Sequence, residues 1–311
     1  MEGMRMNRVL VTGASGFLGR HALPRLQSLG YEVHAVTRRR MGDPSGVRWH
    51  QKDLLEKSAA RDIIRRIRPT HLLHLAWCAD PVDFWETPDN IRWFNATTRL
   101  FDAFAAFDGQ RVVGIGSCAE YEWASEVHCY ESTTPTRPFS LYGESKLAAG
   151  RCLEMLGAAG HFSAAWGRLF FLYGPWGHRR RLPGVVIEPL LGGRPAPCSS
   201  LTQFRDYLFI DDAAAAIVAM LDGSVEGAVN VASGESVQII EMVKSVAQLL
   251  NGEHLLQVGA IPDAETNNPR SIVADVTRLR NEVGFAPSVS LAEGLRRTVD
   301  WWRQSRIRRA A

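Results

Sequence analysis

An α/β class is predicted, a doubly wound parallel sheet followed by a smaller C-terminal α/β lobe, and three observations predict it. Short apolar runs of strand character alternate with helix-patterned runs up to residue 170. A glycine-spaced turn joins the first strand to the first helix. Beyond Pro175 the alternation loosens into Pro- and Gly-bearing loops between longer helical runs. A chain of 311 residues with 46% hydrophobic composition is long enough to bury such a core and a second lobe.

The first strand is Arg8-Val-Leu-Val-Thr12, followed by Gly13-Ala-Ser15-Gly16-Phe17-Leu18-Gly19 and a helical run from 17 to 29. Gly13 permits the sharp turn off the strand, Gly16 lets the backbone approach a pyrophosphate, and Gly19 lets the helix pack close to the sheet. The spacing is Gly-x-x-Gly-x-x-Gly, not the Gly-x-Gly-x-x-Gly of the standard fingerprint, and its place between strand and helix gives it force. The predicted class is thus Rossmann-type, with residues 13, 15, 16, 17, 18 and 19 as dinucleotide contacts.

The second strand, Glu32–Thr37, runs into Arg38-Arg39-Arg40, with no carboxylate for the ribose hydroxyls. Guanidinium groups after Thr37 pair well with a 2′-phosphate, so NADP(H) is favoured, with NAD(H) the alternative if this is only a solvated basic loop. Further strands are expected at 47–50, 71–75, 111–116 and 163–170, and helices at 58–67, 88–107 and 142–159. Helical runs at 211–222, 236–250 and 290–304 complete the chain.

Tyr142-Gly-Glu-Ser-Lys146 places a phenol and an ammonium one helical turn apart in a chain with only four lysines. From composition, such a Tyr-x-x-x-Lys is expected by chance about 0.08 times. A cation near a phenol favours the phenolate and would bring Tyr142 from about 10 toward neutrality, where proton transfer is efficient. An ordinary surface helix would also carry the pair.

With the glycine turn and the Tyr/Lys pair together, the chain resembles the extended short-chain dehydrogenase/reductases, in their nucleotide-sugar epimerase/dehydratase/reductase branch. The resemblance implies an adenine contact at Asp53-Leu54, a strand end passing the cofactor at Leu75-Ala76-Trp77, and a structural asparagine at Asn95. It also implies a catalytic hydroxyl at Ser117 beside Tyr142 and Lys146. Arg205 and Arg270 would hold a substrate diphosphate. The implied division is a dinucleotide-binding domain of residues 1–173 with a return at about 205–232, and a nucleotide-sugar-binding lobe of 174–204 and 233–311. Helices 88–107 and 142–159 would meet their copies in a homodimer.

Departures from the family pattern narrow the reaction. The Asp and Glu that dehydratases carry after the catalytic hydroxyl are Cys118 and Ala119 here, which removes the acid and base for eliminating water. Phe171 replaces the polar residue two places before Tyr-Gly-Pro, which puts the usual 4-epimerase pocket in doubt. Cys118 and His178 remain as an acid and base for an epimerisation next to a carbonyl. Trp77, Phe84, Trp85 and Trp123 offer an apolar wall for a deoxygenated sugar face, or pack as core beneath the loops. The expected reaction is NAD(P)H-dependent reduction of a nucleoside-diphosphate 4-keto-6-deoxy sugar, in deoxysugar or surface-polysaccharide biosynthesis. A 4-epimerase with tightly held NAD and a non-catalytic nucleotide-sensing protein are the alternatives.

A formal net charge of +3 is too small and dispersed for nucleic acid, and the clusters at Arg38–Arg40, Arg179–Arg181 and Arg306–Arg309 read as solvated loops or anion contacts. No apolar run approaches a membrane span or an export signal, so a cytoplasmic location is expected. Five cysteines without a Cys-x-x-Cys pair read as reduced thiols, and His71 and His74 fall on opposite strand faces, so no metal is expected.

Overall fold

The computed structural model describes residues 7–39, 41–42, 46–78, 84–124, 126–263 and 268–310. Its main sheet has seven parallel strands. β2 (Glu32–Thr37) and β3 (Arg48–Gln51) lie on one side of β1 (Arg8–Thr12), and β4 (His71–His74) and β5 (Arg111–Ser117) on the other. After β6 (Glu126–Cys129), which joins a second sheet, β7 (Ser163–Leu169) pairs with β5. The crossovers are α1 (Phe17–Ser28), α2 (Ala59–Ile67), α3 (Asp89–Ala106) and α4 (Leu141–Ala158).

Strand alternation explains the double winding. Val9 and Val11 face a core shared with Leu23 and Leu26 of α1, whereas Leu10 faces Ile64 of α2, Phe104 of α3 and Leu153 of α4. The strands read as apolar runs because both faces are covered.

The chain continues through β8 (Phe171–Tyr173), α5 (Gly184–Leu191), β9 (Ala196–Cys198), β10 (Phe204–Arg205), β11 (Tyr207–Phe209) and α6 (Ile210–Asp222). It then forms β12 (Gly227–Val231), the last strand of the main sheet, which pairs with β7. The order is β12-β7-β5-β4-β1-β2-β3. β13 (Val237–Gln238), α7 (Ile239–Leu249), β14 (Leu256–Val258), β15 (Ser271–Ala274), α8 (Thr277–Asn281) and α9 (Leu291–Ala310) follow. β13, β10, β15 and β6 make a second, four-stranded sheet in that order.

Three differences from expectation have local causes. The third strand is shifted by one residue, to 48–51, and β12 carries too few alternating residues to announce itself as a strand. α5 forms where the sequence suggests loop, because Pro183 and Pro189 flank and interrupt its helical pattern.

Candidate active site

The glycine turn is built as its spacing requires. Gly13 has φ +67°, and a Cβ there would lie 2.8 Å from the Ala76 nitrogen, so the turn presses on the strand end at Leu75-Ala76. Gly16 N–H donates to the Gly13 carbonyl at 2.9 Å and leads into α1 without a side-chain cap, leaving the helix's first amides for an anion. A Cβ at Gly19 would collide with the Gly13 oxygen at 2.5 Å. Leu18 turns into the core, so only its backbone serves the turn, while Phe17 is half-buried against His21.

Thr12 Oγ1 accepts the Leu75 and Ala76 amides and bonds His74 Nδ1 at 2.7 Å, and His74 Nε2 bonds Thr97 at 2.9 Å. Burial first, and the Lys146 charge second, push His74 down to about 3, which keeps this brace neutral. On the adenosine side, Ser15 Oγ lies 3.4 Å from Thr37 Oγ1, which accepts the Arg39 amide at 3.2 Å. Arg38 and Arg39 are exposed beside them, and Arg40 lies outside the described residues. Asp53 accepts the Leu55 amide through its carboxylate, and Leu54 is buried.

β5 delivers Ser117 to its C-terminal end, where a 3-10 turn, Cys118–Glu120, begins. Ser140 caps α4 by accepting the Gly143 amide at 3.1 Å, and Tyr142 follows in the first turn with its own N–H on the Trp85 carbonyl. Ser117 stands beside the Tyr142 side chain, where it favours the ionised phenol.

The expectation that Lys146 brings Tyr142 toward neutrality is corrected. Burial pushes Tyr142 up to about 12, opposed by the Ser117 hydrogen bond and by the charge of Arg181. Lys146 instead donates to the Ile115 carbonyl at 2.7 Å and stands 4.1 Å from the centre of the Trp77 ring. Burial pulls its ammonium down to about 7, against the raising influence of Glu120 and Cys78.

The aromatic wall forms, with one exchange. Phe84 and Trp85 meet the Tyr142 ring edge-on at 4.9 and 5.8 Å, and Trp85, Trp123 and Phe139 pack together. Trp77 leaves the wall to lie beneath Lys146, its Nε1 donating to Asn90.

Other expected residues take different roles. Asn95 is exposed, because the helical period of α3 turns Asn90, Thr97 and Leu100 inward. The structural asparagine is Asn90, whose amide bonds the Phe84 and Thr87 carbonyls and accepts from Trp77. Burial pushes the Cys118 thiol up to about 12, and exposed His178 accepts the Arg180 amide, so the pair is ill-suited to acid–base work. Arg205 is buried, and its guanidinium ties Phe204, Asn268 and Pro269 together instead of standing open for a diphosphate. Its guanidinium also lies 5.6 Å from the Phe171 ring centre. Arg270 is exposed on the segment that Arg205 anchors.

Two site residues escaped sequence reasoning. Arg181 brings its guanidinium within 5.1 Å of the Phe84 ring centre, and the Arg179–Arg181 cluster was the signal. Glu120, fully buried, accepts from the Ser117 amide, Trp166 and Arg168, and its only signal was an acid directly after Cys118-Ala119. All five cysteines are free thiols. Among the described residues no group of three His, Cys, Asp or Glu could hold a metal, and no helix is long and apolar enough to cross a membrane.

Phosphate turn, strand-end serine and Tyr–Lys helix together define an extended short-chain dehydrogenase/reductase of the nucleotide-sugar branch. The chain belongs to the NAD dependent epimerase/dehydratase family, whose model matches residues 9–232. It is similar to the structure of MoeE5 in complex with UDP-glucuronic acid and NAD, with 30% identity and a TM-score of 0.84 over 96% of this chain and 100% of the other. UDP-glucose 4-epimerase of Thermus thermophilus, in complex with NAD, is 29% identical with a TM-score of 0.81 over 95% and 99% of the two chains. Among curated relatives, the dTDP-glucose 4,6-dehydratase of Neisseria gonorrhoeae is 24% identical over 99% of each chain. The UDP-glucose 4-epimerase of Azospirillum brasilense is 27% identical, covering 96% of this chain and 92% of the relative.

Proposed function

We propose that this enzyme is an NAD(P)H-dependent 4-ketoreductase of a nucleoside-diphosphate 4-keto-6-deoxy sugar. The observation that carries the reading is Tyr142, a phenol held at about 12 beside Ser117, with no acid–base pair at Cys118 and Ala119. A phenol that keeps its proton at neutral pH is suited to giving it to a developing alkoxide. Ser117 donates a second hydrogen bond to that oxygen, and the buried Lys146 charge favours negative charge nearby. When bound, the nicotinamide supplies the hydride. The residues present fit such a cofactor: the Gly13–Gly19 turn leads into α1 with its first amides uncapped by any side chain, and the strand end at Leu75–Ala76 borders it.

Ser15, Thr37, Arg38 and Arg39 support a preference for NADPH, since their hydroxyls and guanidiniums suit a 2′-phosphate. The lobe of residues 174–204 and 233–311, with Arg270, is proposed to hold the nucleoside diphosphate, and the paired helices α3 and α4 to form a homodimer. A second reading, a 4-epimerase that keeps its NAD, is favoured by the full-length likeness to NAD-bound UDP-glucose 4-epimerase.

The deciding experiment incubates the purified protein and NADPH with freshly generated 4-keto-6-deoxy sugars on several nucleotides, following reduced-nicotinamide absorbance and reading product stereochemistry by NMR. Stoichiometric oxidation supports the reductase. No oxidation, together with extracted NAD at one per chain, sinks it in favour of the epimerase.

A further inference from the structure

We infer that Glu120 is a positioning residue, which fixes Ser117 from behind the reacting surface and supplies the counter-charge that keeps Lys146 an ammonium in a dry site. The inference rests on the catalytic assignment of Ser117, Tyr142 and Lys146.

Glu120 is 0% exposed and sits at the third position of the turn that Ser117 caps. Its Oε1 accepts the Ser117 N–H at 2.8 Å while the Ser117 hydroxyl accepts the Ala119 amide at 3.2 Å, a reciprocal box that fixes the serine's backbone and χ1 together. The same carboxylate takes Trp166 Nε1 at 3.0 Å and Arg168 Nε at 2.8 Å, both from β7. Arg168 in turn donates to Tyr121, and Tyr121 to Asn230 of β12. Ser117 is thereby tied to three strands, not left on a loop end.

Glycines make the space. A Cβ at Gly116 would lie 2.1 Å from Glu120 Oε1 and 2.2 Å from Trp166 Nε1, and one at Gly143 would lie 2.4 Å from the Ala119 carbonyl. The turn and the first turn of α4, which carries Tyr142, are in direct backbone contact. Trp166, whose Nε1 donates to the carboxylate, also has its ring centre 6.0 Å from Lys146 Nζ.

The other groups facing Lys146 cannot supply the counter-charge. From β4 comes His74, neutral by burial, and after it Cys78, whose thiol burial pushes up to about 11. From β5 comes the Ile115 carbonyl, and Tyr142, one turn back on α4, keeps its proton at neutral pH. Arg168 from β7 is cationic and already engaged by Glu120. Glu120 is the largest influence holding the ammonium's proton against burial. Such a buried carboxylate has value as a fixed charge only if its partners are satisfied, and here they are.

Only four lysines make the test direct. Isotope-labelled lysine in the full chain, followed by NMR across pH, gives four titrations, and Lys146→Met assigns the one in question. Wild-type Lys146 should titrate at about 7, and Glu120→Gln should move the midpoint down by about one unit or more. Glu120→Asp, which keeps the charge but loses reach, should hold the midpoint near wild type while turnover falls about tenfold or more, because Ser117 is misplaced. An unmoved midpoint in Glu120→Gln overturns the counter-charge role. Wild-type turnover in Glu120→Asp overturns the positioning role, and this arm stands even if the Gln variant does not fold. The titration needs no substrate, so failure of the ketoreductase reading leaves its outcome readable.

Discussion

Tyr142 concentrates the chemistry in one proton. Replacing it with Phe removes the donor but leaves the ring that Phe84 and Trp85 pack against. Turnover should fall about 10²-fold or more with cofactor affinity nearly unchanged, measured by steady-state kinetics and fluorescence titration of the cofactor. Lys146 sets the pH range. Its ammonium is lost as pH rises through about 7, so kcat/KM should decline on the alkaline side of neutrality; a plateau extending to the ordinary lysine range near ~10 would contradict its role. Cofactor choice is also a matter of single residues. Arg39→Ser should raise the KM for NADPH about tenfold, the cost of one charge-assisted hydrogen bond, and leave NADH nearly unaffected.

Two elements set the site's geometry, the end of β5 with its 3-10 turn and the first turn of α4. Their closeness depends on glycines where no side chain fits. Gly116→Ala should destabilise the fold by about 1–3 kcal/mol, because its Cβ meets a buried carboxylate and a buried indole, neither with room to move. The shift appears in the denaturant midpoint, and the displaced Ser117 should lower turnover as well. The phosphate turn is comparable: Gly13 combines a positive φ with contact against Leu75-Ala76. Both turns were legible in the sequence to different degrees. The Gly13–Gly19 spacing is a local pattern whose meaning comes from its neighbours in the chain. Gly114, Gly116 and Gly150 give no local signal, because they are matched to Trp166, far from them in sequence.

The whole molecule carries a set of buried and half-buried neutral histidines that makes it sensitive to acid. His74 is held down to about 3 and His50 to about 4, and His34 and His71 are lowered as well, in each case mainly by burial. The folded state therefore binds fewer protons than the unfolded chain at pH values below the ordinary histidine range. The histidines' contribution to stability is fully present above about 6.5 and declines as pH falls, by about 1.4 kcal/mol per unit for His74 alone. Urea midpoints measured at several pH values should show this decline, and His74→Asn should flatten it. By itself, the sequence determined the parallel α/β class, the phosphate turn, the Tyr142/Lys146 helix and the family, because each rests on periodicity or spacing within a short stretch of chain. The tertiary structure decided which side chains are enclosed. It moved the structural asparagine from Asn95 to Asn90, turned Trp77 under Lys146, and brought Arg181 toward Tyr142 and Glu120 behind Ser117. Burial and charge proximity arise between residues distant in sequence, and they fix the proton on Tyr142 and the charge on Lys146.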